Sequence, residues 1–576
     1  MLKRTKMGKS MQSQVKDTGA ELIVDFVIGG LVGVIVATAS KAFVSGVSFF
    51  TALRENQTVI EIFIFGTQVE LTSLIFLWSA AGLLILIRRI FKITRWHGPA
   101  DSIYHAHQTK EPLDEKHGLV STLAAFTSAA GGGSVGQYGP LVHFGATIGI
   151  IFKRFFKSRL SNEIYLGCGV AAAISAGFGA PIAGIVFAHE AVLRHLSVRA
   201  MAPISIASVT AAAFSQTFFK NTTPYAISAH SPDLATLIPI LIIAGPVVAA
   251  TAITFMQGLR YSAKFARQSG WSAERLIITA ATICGTVGIW VPEILGVGLG
   301  TVNEMLSGQY QIPMLLVLLV LKISMTAVCI GFGLFGGVFS PALFIGVAVG
   351  GLVAQISIAV GGPSLTEAIS IAVMASVAAT VIGAPITAVL IVLELTQSYA
   401  YAVAALMAVM TSMLLTHRLF GHSFFDRQLI DRGIDLSLGR EGIALNQHTL
   451  EAHVGDDCVN LSEDSTGHEA LLEMRTKEQT EAYVISDSGN LLGKLSIHQA
   501  ITAGDKSVQQ FCDKSPLLLR KNDSLQHAMH VVSDFVGESI PIVDGDDRFF
   551  LGAITEGDLF TAVIEVQSEV RNQERG

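Results

Sequence analysis

Two short patterns recur in this chain at nearly the same spacing. G-x3-P-x4-G-x3-G is read from Gly136, Pro140, Gly145 and Gly149, and again from Gly337, Pro341, Gly346 and Gly350. G-A-P-I followed by a glutamate runs from Gly179 to Glu190 and from Gly383 to Glu394. The copies lie 201 and 204 residues apart, close enough for one duplication to explain both. Duplicated apolar halves with glycine-interrupted segments mark a transport path.

Composition fixes the setting. Hydrophobic residues make up 51% of the chain and charged residues 15%, with mean hydropathy +0.54; a soluble domain carries about 25% charge. Spans such as 71–87, 235–255 and 312–332 approach or reach the roughly 20 residues that cross a bilayer. Segments 140–152 and 341–359 are short or glycine-broken, the pattern of non-spanning or re-entrant helices inside a bundle. The net charge of −6 argues against nucleic acid as a partner. Cys168, Cys284, Cys329, Cys458 and Cys512 lie far apart and suggest neither a disulfide framework nor a metal spacing.

Charge sets the orientation. Lys3, Arg4, Lys6, Lys9 and Lys16 precede the first apolar run at 22–52 and predict a cytoplasmic N-terminal segment, with no cleaved signal peptide. Arg88, Arg89, Lys92 and Arg95, and later Lys153, Arg154, Lys157 and Arg159, mark further cytoplasmic turns; segment 53–70 is then external. Near residue 440 the character changes to mixed polar sequence. Val484-Ile485 leads to Gly493 and Ser496, and Ile542-Val543 leads to Gly552 and Thr555, an offset of 59. Two α/β units of about 60 residues, side by side, make one soluble domain.

The chemistry of the apolar part lies in its helix starts. Gly131-Gly132-Gly133 and then Gly136-Gln137-Tyr138-Gly139-Pro140 let the chain turn and bring backbone N–H groups close to a ligand. Proline in a first turn loses nothing, because its N–H would have been unpaired. Such a start offers free donors and partial positive charge to an anion. Gly336-Gly337-Val338-Phe339-Ser340-Pro341 supplies the second start, each contributing ~0.3–2 kcal/mol. One copy alone would read as close packing; its recurrence in both halves favours a site. Weak, multiple contacts suit conduction.

These residues resemble the CLC family of chloride channels and chloride/proton antiporters. Gly136-Gln137-Tyr138-Gly139-Pro140-Leu141-Val142-His143 is similar to the family's G-[KR]-E-G-P-x-x-H, and Gly337-Val338-Phe339-Ser340-Pro341 to its G-x-F-x-P. The two G-A-P-I segments fit as well, as does His422-Ser423-Phe424-Phe425 ahead of Asp431-Arg432-Gly433. The resemblance implies an all-α polytopic membrane protein, a CLC-type inverted repeat with halves at about 21–230 and 231–440, following a cytoplasmic segment 1–20. It also implies a homodimer with a pore in each subunit. Residues 441–576 resemble a cytoplasmic pair of CBS modules, about 450–505 and 514–570.

The departures are informative. The family's gating carboxylate falls on Tyr138, whose reference pKa of about 10 against about 4.3 for glutamate keeps it an uncharged donor at neutral pH. The inner proton-transfer glutamate falls on Ala191. The resemblance therefore implies passive, proton-independent anion movement, chloride first, with Tyr138 either a gate or a plug. The ion-contacting loop falls near His97-Gly98-Pro99-Ala100-Asp101, and the pore tyrosine falls on Phe425. With neither hydroxyl, the alternative that stays open is an anion antiporter or carrier with changed selectivity, for bicarbonate or nitrate. The anion pathway is expected at Gly98, Pro99, Gly136, Gln137, Tyr138, Gly139, Gly337, Val338, Phe339 and Phe425.

No cofactor is expected to be required. An adenine nucleotide at the CBS pair is implied by Gly552-Ala553-Ile554-Thr555-Glu556-Gly557-Asp558, with Thr555 and Asp558 as contacts; the first module offers Ser496 and Gln499 and lacks the acid. Glu190 and Glu394 are intramembrane carboxylates, expensive unless partnered, and read as acceptors for helix ends in both halves. His143 reads as structural; His97, His105 and His107 read as a polar loop rather than a metal site. A magnesium transporter would line its path with carboxylates, and an enzyme would need a nucleophile–base pair or metal cluster. The repeated Gly/Pro helix starts favour the opposite charge to a cation path, and the apolar body offers no convincing nucleophile–base pair or metal cluster. A prokaryotic inner membrane is the expected location.

Overall fold

The computed structural model describes residues 2–56, 61–64, 67–108, 113–156, 160–219, 225, 227 and 232–575. The side chains of residues 1–23 fall outside this description, as do Lys157 and Arg159. The chain divides into two units, Met1–Gly433 and Ile434–Gly576, a boundary a few residues before the change of composition near 440.

The first unit begins with α1 (Leu2–Asn56) and a hairpin of β1 (Glu61–Ile64) and β2 (Thr67–Glu70). There follow α2 (Thr72–Phe91), α3 (Pro99–His107), α4 (Glu115–Ala130), α5 (Tyr138–Phe155), α6 (Asn162–Phe178), α7 (Pro181–Phe187) and α8 (Val198–Phe219). The second half repeats the order with α9 (Leu234–Gln268), α10 (Ala273–Trp290), α11 (Leu299–Leu306), α12 (Ile312–Gly331), α13 (Phe339–Ala359), α14 (Thr366–Ile382), α15 (Pro385–Thr396) and α16 (Tyr399–Leu419). A short α17 (Phe424–Ile430) closes the unit. Packing repeats too. α5 lies on α6, α6 on α8 and α8 on α1, just as α13 lies on α14, α14 on α16 and α16 on α9.

The repeated motifs explain this geometry. α6 ends at Gly179 and α14 at Gly383, both left-handed at φ 68° and 83°, where a side chain would be strained. The proline two residues later opens α7 and α15 at the first helical position. G-A-P-I is thus one helix stop joined to one helix start. A methyl group on Gly145 would run into the carbonyl of Gly169 on α6, and one on Gly346 would come 2.6 Å from the Met374 Cα on α14. These glycines permit backbone-to-backbone contact.

Among the described residues, eight helical spans are long and apolar enough to cross a membrane. Most turn large apolar side chains such as Ile243, Val320 and Leu414 outward, as lipid contact requires. α13 is different: 67% of its apolar window is buried. It is also unbroken, which corrects the reading of 341–359 as short or interrupted; its glycines serve packing on α14 rather than a break.

Two cations are buried within the membrane unit. Lys322 on α12 is fully buried and donates to the carbonyls of Ile294 and Gly296, both at 2.9 Å, with the Phe344 ring 4.7 Å away. Arg54, buried at the end of α1, lies against Gly132.

The second unit opens with α18 (Gly439–Gln447) and holds two copies of one α/β plan. The first comprises β3 (Val459–Ser462), α19 (Gly467–Thr476), β4 (Glu481–Ile485), β5 (Leu491–Ser496) and α20 (Ile497–Ala503). The second comprises β6 (Leu519–Arg520), α21 (Leu525–Val532), β7 (Ser539–Asp544), β8 (Phe549–Thr555) and α22 (Glu556–Arg575). In each three-stranded sheet the first pair is parallel and the second antiparallel. The repeated glycines sit beside matching bulges: Val484 pairs with Gly493 and Ile542 with Gly552.

Candidate anion pathway

The starts of α5 and α13 meet back to back. Gly136 N–H donates to the Gly337 carbonyl at 2.7 Å, and Gly337 N–H returns the bond to Gly136 at 2.7 Å. The Gln137 N–H reaches the Ser340 hydroxyl at 3.3 Å. Gly136 and Gly337 therefore drop out of the expected set of anion donors, because each spends its amide on the other. The donors that remain are the N–H groups of Tyr138 and Gly139 on α5 and of Phe339 and Ser340 on α13. These precede the first intrahelical bonds, at Leu141 and Ala342.

Tyr138 is buried at the first position of α5. Its ring stacks on Phe178 with centroids 4.0 Å apart and meets the edge of Phe339 at 5.9 Å; Phe178 and Phe339 are 5.2 Å apart. Gly177 leaves room for the ring, since a methyl there would lie 3.2 Å from it.

Below this triad Tyr138, Pro99, Gly139, Phe339 and Phe425 converge with Ile382 and Phe187 around a void of about 10 Å³. That is no more than one water's room. On the other side of Tyr138, a cavity of about 650 Å³ reaches Gln137 and Tyr138 between α1 and the turn at Glu293–Thr301. The geometry is a wide vestibule ending on an aromatic constriction, a shape that closes a pore by excluding water.

Most of the pathway residues named from sequence meet here: Gln137 and Tyr138 at the vestibule, and Pro99, Gly139, Phe339 and Phe425 at the constriction. Val338 stands at the N-cap position of α13 and does not line the void. Gly98 does not present its amide to the void, because its N–H is held by Asp101 Oδ2 at 2.8 Å. Asp101 was not singled out from sequence; its other oxygen receives Arg95 at 2.7 Å and Arg432 at 2.9 Å, so one buried carboxylate ties together three segments. Phe178 was missed as well. The signal was its place just before the first G-A-P-I, matched by Ile382 before the second.

The two intramembrane glutamates cap each other's halves. Glu394 accepts from the N–H groups of Ile182 and Ala183 at the start of α7, at 2.9 and 2.8 Å. Glu190 accepts from Ile386 and Thr387 at the start of α15, also at 2.9 and 2.8 Å, and from the Thr387 hydroxyl at 2.6 Å. Glu190 sits in a π-helical turn, Ala188–Leu193, beside Ala191. His143 bonds Ser102 at 2.7 Å and so joins α3 to α5. Among the described residues no group of three or more His, Cys, Asp or Glu could hold a metal ion.

In the second unit Thr555 and Asp558 form a capping box on α22, with the hydroxyl and carboxylate 2.6 Å apart. Ser496 and Gln499 do the same on α20.

A family model described as voltage gated chloride channel matches residues 79–417, more than half of the chain. The chain belongs to that family. A CBS domain model matches residues 508–565, and the duplicated plan above completes the CBS pair. A putative chloride channel protein ClcB-like of Ralstonia nicotianae is 29% identical over 326 residues, covering 55% of this chain and 76% of that protein. The voltage-gated ClC-type chloride channel ClcB of Shigella boydii is 26% identical over 357 residues, covering 60% and 83%. The fold is that of a slow cyanobacterial Cl−/H+ antiporter, with TM-score 0.61 at 20% identity over 71% of this chain and 97% of the other. A eukaryotic CLC transporter matches with TM-score 0.59 at 16% identity over 93% and 98%. CLC members are channels and transporters rather than enzymes, and anion transport by a multi-pass membrane protein is this chain's class of activity.

Proposed function

We propose that this protein lets small monovalent anions, chloride among them, run down their gradient without moving protons. The observation that carries the reading is the make-up of the constriction: Tyr138, Pro99, Phe339 and Phe425 with aliphatic neighbours, and no carboxylate. An antiporter of this family needs an acid that competes with the anion and then carries a proton; Tyr138 and Ala191 stand where the resemblance puts those acids. The ring of Tyr138 is the gate. When it swings from Phe178, the amides of Tyr138, Gly139, Phe339 and Ser340 receive the ion. The protein acts as a homodimer in a prokaryotic inner membrane, each subunit with its own path and both termini cytoplasmic. An adenine nucleotide on Thr555 and Asp558 of the CBS pair regulates opening.

Purified protein in liposomes tests this. A chloride gradient should collapse without lifting protons uphill, and Tyr138→Glu should introduce pH dependence into the flux. Uphill proton transport by the wild type would reject the proposal. ATP or AMP should raise the melting temperature of the full chain; no shift rejects the nucleotide.

A second reading concerns the ion. Rings and proline at the constriction cannot replace a hydration shell with hydroxyl donors. Weakly hydrated nitrate then passes more readily than chloride.

A further inference from the structure

A second cavity of about 610 Å³ lies in the membrane unit and shares no lining residue with the void at the constriction; five of its lining side chains are basic: Arg95, Arg260, Lys264, Arg267 and Arg432. Asp431 is its one acidic wall residue. The cations converge from three separate stretches of chain. Arg95 follows α2, Arg432 follows α17, and Arg260, Lys264 and Arg267 occupy one face of the last turns of α9 at i, i+4 and i+7.

Only part of this charge is neutralised. Arg260 spends two N–H groups on Asp431, at 3.1 and 3.0 Å. Arg95 and Arg432 share the single Oδ1 of Asp101, which leaves the rest of each guanidinium fork to the cavity. Lys264 and Arg267 are exposed and have no ion-pair partner among the described residues. Setting Asp431 and Asp101 against five cations leaves an excess of three positive charges.

Like charges at i, i+4 destabilise a helix. The C-terminal dipole offsets some of that, but it does not explain why Arg95 and Arg432 join them around an open cavity. We infer that this cavity is a binding site for a phosphate-type group carrying two or more negative charges. Planar guanidiniums from two segments match phosphate oxygens bidentately, and the lysine adds a mobile point charge. Arginine and lysine clusters at the basic ends of membrane helices also hold lipid phosphates. Tyr261 on the cavity wall is 70% exposed, so an apolar surface adjoins the charged one. The group arrives either on an anionic lipid or on a soluble phosphate.

The test uses the full chain and the Lys264→Gln/Arg267→Gln double variant, with Arg275→Gln as a charge-loss control. Protein in phosphatidylcholine nanodiscs is compared with and without phosphatidic acid, reading bound lipid by native mass spectrometry. In parallel, inorganic pyrophosphate is titrated against thermal unfolding in pure phosphatidylcholine. Phosphatidic acid retained by wild type and Arg275→Gln, and weakened roughly tenfold or more in the double variant, assigns the site to lipid. A pyrophosphate-induced shift lost in the same way assigns it to a soluble phosphate. Neither ligand bound by wild type, or equal binding by the double variant, overturns the inference.

Discussion

Gly136 and Gly337, 201 residues apart, exchange a reciprocal pair of main-chain hydrogen bonds at 2.7 Å. This bridge fixes the distance between the two helix starts that border the constriction. It also forbids a side chain at either position: a methyl on Gly136 would lie 2.7 Å from the Gly337 oxygen, and one on Gly337 would lie 2.9 Å from Gly139 N. Gly136→Ala and Gly337→Ala should each abolish anion flux, because the neighbours in contact are backbone and proline and cannot turn aside. Each variant should also melt lower, as over-packing of about 1–3 kcal/mol implies. Flux at wild-type rate in either alanine variant would remove the bridge from the argument.

The exchange of glutamates between halves makes a different prediction. Glu190 and Glu394 satisfy orphan donors at helix starts in the opposite repeat, a contact worth about 1.5–3 kcal/mol when the acceptor is charged. Glu190→Ala and Glu394→Ala should lower thermal stability, Glu190 more so because Thr387 adds a third bond. The pH dependence of flux should not change in either. Altered proton dependence with unaltered melting would show these groups to be transport residues instead.

The features legible in sequence were those a local pattern dictates. Gly179 before Pro181 and Gly383 before Pro385 each spell a helix stop and start, so the duplicated scaffold could be read directly. The aromatic closure could not. Phe178 is ordinary in its own helix and becomes a wall only when Tyr138 stacks on it. Asp101 looks like a helix-start residue, which it is; its link to Arg432 spans 331 positions and leaves no local trace. The glycines of α13 suggested a break because a glycine that permits contact and one that ends a helix look alike until a neighbour is placed. Gly136 and Gly337 read as anion donors for a similar reason, since a bare amide does not name its acceptor.

The gate itself can be widened. Tyr138→Ala removes the ring held 4.0 Å from Phe178 and joins the wide vestibule to the small void beneath it. Anion flux in liposomes should rise about tenfold, equivalent to lowering the barrier by roughly 1.4 kcal/mol. Phe425→Tyr, which adds a hydroxyl donor to the constriction, should move selectivity toward chloride relative to nitrate. Flux unchanged in Tyr138→Ala would place the rate-limiting step elsewhere.

Asp101 supplies a pH test outside the eight membrane-crossing spans. Burial alone raises its carboxyl, but Arg432 and Arg95, with the Gly98 N–H, outweigh this and hold it at about 2. A free aspartate titrates near about 3.9, so the folded state binds the proton less readily than the unfolded one. The stabilisation is therefore complete above that unfolded value and is lost as pH falls through the folded one, by about 2 kcal/mol in all. Asp101→Asn should melt lower than wild type at pH 7, and the gap should narrow steadily below about pH 4. It should also loosen the Gly98-Pro99 turn at the constriction, so flux should fall together with stability at neutral pH. A gap that stays constant from pH 7 to about pH 3 would mean that Asp101 contributes through its shape and hydrogen bonds rather than its charge.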